Sequence, residues 1–247
     1  VEQRKGSHPA AGRLAPFIDR RPVVSALFVL IAFLIVSFLF GIGAEALLPQ
    51  YQPEFVAVIG LTVVVLGALA ALRWWRETGF NAPARWRDAH LLLVPAIIVA
   101  VLPFLRGFKG QNTGMFVYLL AAYALTGIME EGLFRGIVMR ILRPTGVARS
   151  VWISALLFSF AHVGNMLYRN PVIVLSQMVG AFVFGIGAAA IRLRTNTIWF
   201  MVVLHAVHDL ALQYSNFPLI PLDVAQVTLL MLYGLYLLRA KERLTTD

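Results

Sequence analysis

Long apolar runs alternate with short polar connections along most of the chain. Eight stretches read as apolar helical spans, at 23–40, 55–72, 91–105, 115–142, 151–168, 172–191, 197–214 and 224–238. The third is short and holds Pro95 and Pro103, which predicts a kink or a partial crossing. The first connection has room for a short interfacial helix around residues 44–48. The pattern predicts an all-α polytopic membrane protein, a helical bundle of about eight transmembrane helices. It divides the chain into a basic segment at 1–22, a membrane-embedded domain at 23–239 and a short tail at 240–247. No soluble domain, low-complexity tract or internal repeat interrupts it.

Composition agrees with this division. Of 247 residues 60% are hydrophobic and 13% charged, and the mean hydropathy is +0.79, more apolar surface than a soluble domain of this size could enclose. The net charge of +9 would suggest nucleic acid in a soluble protein, but here the cations lie between apolar runs. Connections and tails on the N-terminal side hold nearly all of them, from Arg4, Lys5, Arg13, Arg20 and Arg21 to Arg239, Lys241 and Arg243. The opposite side holds Arg106, Lys109 and Arg169. By the positive-inside rule both termini are cytoplasmic, and the even span count follows. No partnership with nucleic acid is implied; the partner is the lipid bilayer. Residues 1–22 are polar, and the run after them is too long for a signal-peptide core, so no cleavable leader is expected. Arginine outnumbers lysine in an Ala- and Leu-rich chain, which points to a bacterial inner membrane. Cysteine is absent, which excludes disulfides and thiolate chemistry.

Against that background the charges inside spans carry the information. Glu130, Glu131 and Arg135 sit in the fourth span, His162 in the fifth, and His205, His208 and Asp209 in the seventh. One charge at a helix centre costs roughly 2.5–3.5 kcal/mol. Glu131 and Arg135 are four residues apart and can pair on one helix face, whereas Glu130 lies about 100° round the helix without a partner in its own segment. A buried structural ion pair beside a neutral acid would explain this stretch alone. A lone histidine in a span is commonly held by a backbone or hydroxyl group; His208, about 60° round from His205, is read as structural or as a support behind the site.

Depth separates chance from convergence. At ~1.5 Å per residue, Glu130 lies ~15 Å from the inner face, His162 ~18 Å, and His205 and Asp209 ~12 and ~18 Å. One layer therefore holds them all, and the pattern predicts a common cavity open to the cytosolic half of the bilayer. A carboxylate and an imidazole can share a water, the first taking its proton and the second orienting it. His205 and Asp209, on one helical face, could face a developing oxyanion. Small residues at Ala181, Gly185 and Ala189, and at Gly132 and Gly136, would let neighbouring helices approach closely.

These residues also carry a resemblance. Glu130, Glu131 and Arg135 match the EExxxR motif of the CAAX-processing and bacteriocin-processing (CPBP, or Abi) intramembrane proteases. Phe158 and His162 resemble their FxxxH motif, and His205 and Asp209 their HxxxN/D motif, in the same order over about 115–214. The resemblance implies an intramembrane endopeptidase acting on a membrane-associated protein or peptide. It implies that Glu130 and His162 activate water, that His205 and Asp209 form the oxyanion site, that Glu131 pairs with Arg135 and that Phe158 packs beside His162. It implies no cofactor. The fourth motif position is often Asn, and an ionised Asp209 cannot donate to an oxyanion; it is protonated, orients His205 or acts otherwise. Two rivals use the same residues. One is a zinc protease with Glu130, His162, His205 and Asp209 as ligands, although no HExxH motif is present. The other is a non-enzymatic membrane scaffold or carrier. Substrate identity, prenyl dependence and oligomeric state leave no trace in the sequence.

Overall fold

In the computed structural model, residues 18–110 and 112–239 are described; most of the basic N-terminal segment and the 240–247 tail lie outside them. The first two helices, α1 (Pro22–Leu47) and α2 (Pro53–Leu72), both open on proline, whose fixed φ suits a first helical turn and whose missing N–H costs nothing there. Then α3 (Leu93–Ala100) is flanked by 3₁₀ turns at Trp86–Leu92 and Leu102–Phe104, the kinked crossing that Pro95 and Pro103 announce. The Asn112 side chain accepts from the Met115 amide at 2.7 Å and caps α4 (Thr113–Glu131). Without a break α4 widens into a π-helical segment, Gly132–Val138, and closes as α5 (Met139–Leu142). The return helix α6 (Val147–Ala161) tightens into a 3₁₀ segment, His162–Leu167. Asn170 caps α7 (Pro171–Thr195), which ends on Asn196 in the left-handed region. The last two are α8 (Trp199–Tyr214) and α9 (Leu219–Arg239).

The described chain is 83% helical without strands, an all-α polytopic membrane protein. Seven segments are long and apolar enough to cross a bilayer. The one expected span not among them, the seventh, is α8, which has 16 residues and reaches only ~24 Å. Apolar side chains such as Val63 and Val179 are 64% and 65% exposed and make a lipid-facing belt. Three expectations change in detail. The helix expected at 44–48 is the end of α1, because nothing before Leu47 interrupts the apolar run. The fourth span is not one α-helix, since the π segment adds a residue to its turn just after Glu131. The fifth leaves α-geometry at His162.

Packing is closest where side chains are missing. A Cβ at Gly127 would lie 2.9 Å from the Val202 carbonyl oxygen, so this glycine lets α4 and α8 touch backbone to backbone. Gly187 does the same for α7 and α9, where a Cβ would stand 2.7 Å from the Leu230 carbonyl oxygen. Gly185, from the small-residue row read in the sequence, faces Ala155 of α6. Gly127→Leu should therefore part α4 from α8 and lower the thermal midpoint by several degrees, a shift read by a melting curve in detergent, because overpacking against backbone costs roughly 1–3 kcal/mol.

The end of the bundle that carries Pro22 and Arg239 is closed. The connection after α2 folds across the ends of α7 and α8: Ile198 N–H donates to Gly79 O at 2.8 Å and Thr197 Oγ1–H to Asn81 O at 2.7 Å. Arg192 Nε–H donates to Thr78 O at 3.3 Å. Beneath them Phe134, Val138, Leu142 and Ile191 are fully buried.

Candidate functional site

The site begins with a peculiarity of α4. An acid–acid pair at 130–131 points in two directions on a helix, and the two carboxylates meet different surroundings. Glu131 is fully buried, and its Oε2 lies 3.2 Å from Arg135 Nε, also fully buried. The alignment is that of an ion pair rather than a hydrogen bond, and the guanidinium's other nitrogens have no hydrogen-bond partner among the described residues. Aromatic faces take that place. The Arg135 Cζ stands 4.2 Å from the centre of the Phe158 ring and 5.7 Å from that of Phe184.

The other oxygen of Glu131 reaches across to α8. His205 Nδ1 is 2.8 Å from Glu131 Oε1, and since an ionised carboxylate only accepts, Nδ1–H is the donor. One carboxylate thus ties the arginine of its own helix to the histidine of another. This link depends on the contact at Gly127 and Val202, one turn away along both helices, and sequence spacing could not have revealed it. The second ring nitrogen, Nε2, faces Glu130 Oε2 at 3.5 Å and Asp209 Oδ2 at 3.6 Å. Both distances exceed a normal hydrogen bond, so this nitrogen looks between two carboxylates without being committed to either.

His162 arrives from α6 by a change of helix type. Where the α-helix ends, carbonyls in its last turn lose their amide partners. The His162 Nδ1–H supplies one, donating to Phe158 O at 2.9 Å. That bond fixes the tautomer and leaves Nε2 with its lone pair. The Phe158 ring meets His162 edge-on, with centroids 5.0 Å apart. Glu130 and His162 line one cavity of about 460 Å³, which His205 and Asp209 do not line.

Glu130, Glu131, Arg135, His205 and Asp209 share one polar cluster, and Glu130 joins it to the cavity that His162 lines, whereas the single cavity expected for all four motif residues does not take in His205 and Asp209. The direction of the cavity differs from expectation. It does not run to the end that carries Pro22 and Arg239, which Phe134, Val138 and Leu142 fill. It runs along α1 and α2 toward Glu45, Pro53 and Arg169 at the opposite end. The imagined zinc set is not assembled: among the described residues no three or more His, Asp or Glu are grouped to hold a metal ion.

Sequence reasoning missed two members. Phe184 lies between the histidines of α8, edge-on to His205 at 5.1 Å and stacked on His208 at 5.6 Å. It is one of 17 phenylalanines, and nothing in its neighbourhood marks it. Asp223 lies one residue before the last expected span, yet its Oδ1 is 3.2 Å from His208 Nε2. Starting the last helix at Leu219, near Pro218 and Pro221, would have placed this acid inside the span.

Comparison with known proteins adds one finding. Residues 112–211 match the model of the Type II CAAX prenyl endopeptidase Rce1-like family, a stretch that spans α4 to α8 and holds all three motifs. No curated protein and no solved structure matches the chain. The resemblance read from the motifs is borne out.

Proposed function

We propose that the chain, whose residues 112–211 match the Type II CAAX prenyl endopeptidase Rce1-like model, hydrolyses a peptide bond of a membrane-associated protein or peptide by metal-independent acid–base chemistry. The observation that carries this reading is the convergence of Glu130 and Asp209 on one nitrogen of an imidazole whose other nitrogen Glu131 holds. Glu130 takes a proton from a water as that water attacks the scissile carbonyl carbon. His162 Nε2, with its lone pair free, accepts the second hydrogen of the water and aims it. The carbonyl oxygen becomes an oxyanion, and a proton on His205 Nε2 turns from the carboxylates to donate to it. Glu130 then returns its proton to the departing amine, giving a new carboxylate and a new amino terminus. Glu131 orients His205 much as a buried carboxylate orients the imidazole of a hydrolase triad.

Asp209 is read as a partner of His205 Nε2 rather than a donor, which accommodates an aspartate where the related motif has asparagine. Asp209→Asn should keep activity within about tenfold of wild type, ~1.4 kcal/mol of barrier, as judged by kcat/KM. On this reading the catalytic core is about 115–214 within the membrane domain, both termini face the cytoplasm and the chain belongs to a bacterial inner membrane. Comparing membrane and secreted peptides between wild-type cells and cells carrying Glu130→Ala tests the function. Uncleaved precursors should accumulate only in the variant, and identical peptide sets would refute it. Turnover should survive strong chelators.

A further inference from the structure

About half of the residues lining the cavity that reaches Glu130 and His162 belong to α1 and α2, outside the matched segment. Its volume of about 460 Å³ falls within the roughly 300–1,000 Å³ of ligand pockets. Apolar side chains of α1 and α2, such as Leu34 and Leu61, wall it, and Glu45, Glu54 and Arg169 stand at its far end. The charge there is inverted relative to the protein. The chain carries 21 Lys and Arg against 12 Asp and Glu, yet the cavity lines Glu45, Glu54 and Glu130 against Arg169 as its permanent cation. On the wall, the Ser37 hydroxyl oxygen is buried without a hydrogen-bond partner among the described residues.

We propose that this cavity is the substrate channel, and that it takes an extended peptide segment carrying positive charge, approaching from the end of the bundle opposite Pro22 and Arg239. The proposal rests on the reading of Glu130 and His162 as the water-activating pair. Phe33 of α1 packs edge-on against Phe134, one turn past Glu130, so Ser37 stands near the level of Glu130. Glu45 is then ~12 Å farther along α1, at ~1.5 Å per residue. An extended chain advances ~3.4 Å per residue, so a lysine or arginine three to four residues from the scissile bond meets Glu45 and Glu54. Carboxylates at an apolar mouth favour a cationic peptide over a neutral one and do not favour a lipid acyl chain.

The chain has no cysteine, so Gly41→Cys, on the cavity wall, introduces a single thiol. It is made in the Glu130→Gln background so that a probe peptide is not consumed. A membrane-impermeant maleimide is applied from either face, with a leucine–alanine peptide bearing a terminal lysine pair, or its lysine-acetylated form, as protectant. Labelling is expected only from the face opposite the termini. The lysine peptide should protect at about tenfold lower concentration than the acetylated one, and Glu45→Gln with Glu54→Gln should erase that difference. Labelling from the terminal face, a thiol reactive only after denaturation, or equal protection by both peptides overturns the proposal; equal protection is the result for a cavity that takes lipid. Selective protection of the thiol, with wild type failing to cleave the lysine peptide, would count against the catalytic roles and leave the channel standing.

Discussion

Glu130→Gln is expected to lower kcat/KM by about 10³-fold while leaving the fold intact. The two effects separate because this carboxylate has a chemical task and almost no structural one. Its side chain is 17% exposed into the cavity, and its nearest polar neighbour, His205 Nε2, lies 3.5 Å away. A carboxamide has the same shape and can fill the same space, but it cannot take a proton from water. General-base catalysis contributes roughly 10²–10⁴ in rate, and 10³ corresponds to ~4 kcal/mol of barrier. The measurement is steady-state cleavage of a membrane peptide by purified wild type and variant, with melting curves alongside. Near-normal turnover by Glu130→Gln would remove Glu130 from the role assigned to it.

Glu131→Ala should fail differently, by destabilising the protein and disabling it together. Removing this carboxylate leaves Arg135 charged, fully buried and supported only by the rings of Phe158 and Phe184. Breaking one side of a buried ion pair costs about 3–5 kcal/mol, a large share of the stability of most folds. Activity falls as well, because His205 loses the acceptor that orients it. A double replacement separates the two losses. Glu131→Leu with Arg135→Met removes both charges, and apolar pairs of similar volume often hold such sites as well as the ions do. Its melting temperature should return toward wild type while cleavage stays lost. Recovery of cleavage in that double variant would show that Glu131 serves only the fold.

How much of this was legible beforehand depends on the range of each interaction. Helix positions were readable because apolar runs and prolines act within a turn or two: Pro22, Pro53 and Pro171 open the helices they precede in sequence. The Glu131–Arg135 pair was readable for the same reason, being one turn apart. The bond from Glu131 to His205 was not, because it spans two helices whose approach is set by a single missing side chain at Gly127. Nor was the role of Phe184, since an aromatic among apolar neighbours looks the same whether it faces lipid or an arginine.

The direction of the cavity was misread for a related cause. Counting residues from the inner face gives the depth of Glu130 but not what surrounds it. The end that carries Pro22 and Arg239 is sealed by Phe134, Val138 and Leu142 and by the connection that lays Gly79 and Asn81 over α7 and α8. The 3₁₀ segment at His162–Leu167 also lay outside what apolar patterning can detect, although it is what turns His162 Nδ1 to backbone and frees Nε2.

An experimental structure with a peptide aldehyde bound would measure the central geometry directly. The expected result is a hydrated aldehyde carbon between the Glu130 carboxylate and His162 Nε2, with one of its oxygens about 3 Å from His205 Nε2. An aldehyde seated away from these groups, or Glu130 and His205 turned to opposite sides of α4 with lipid against either, would contradict the assignment of this cluster as the place where the peptide bond is broken.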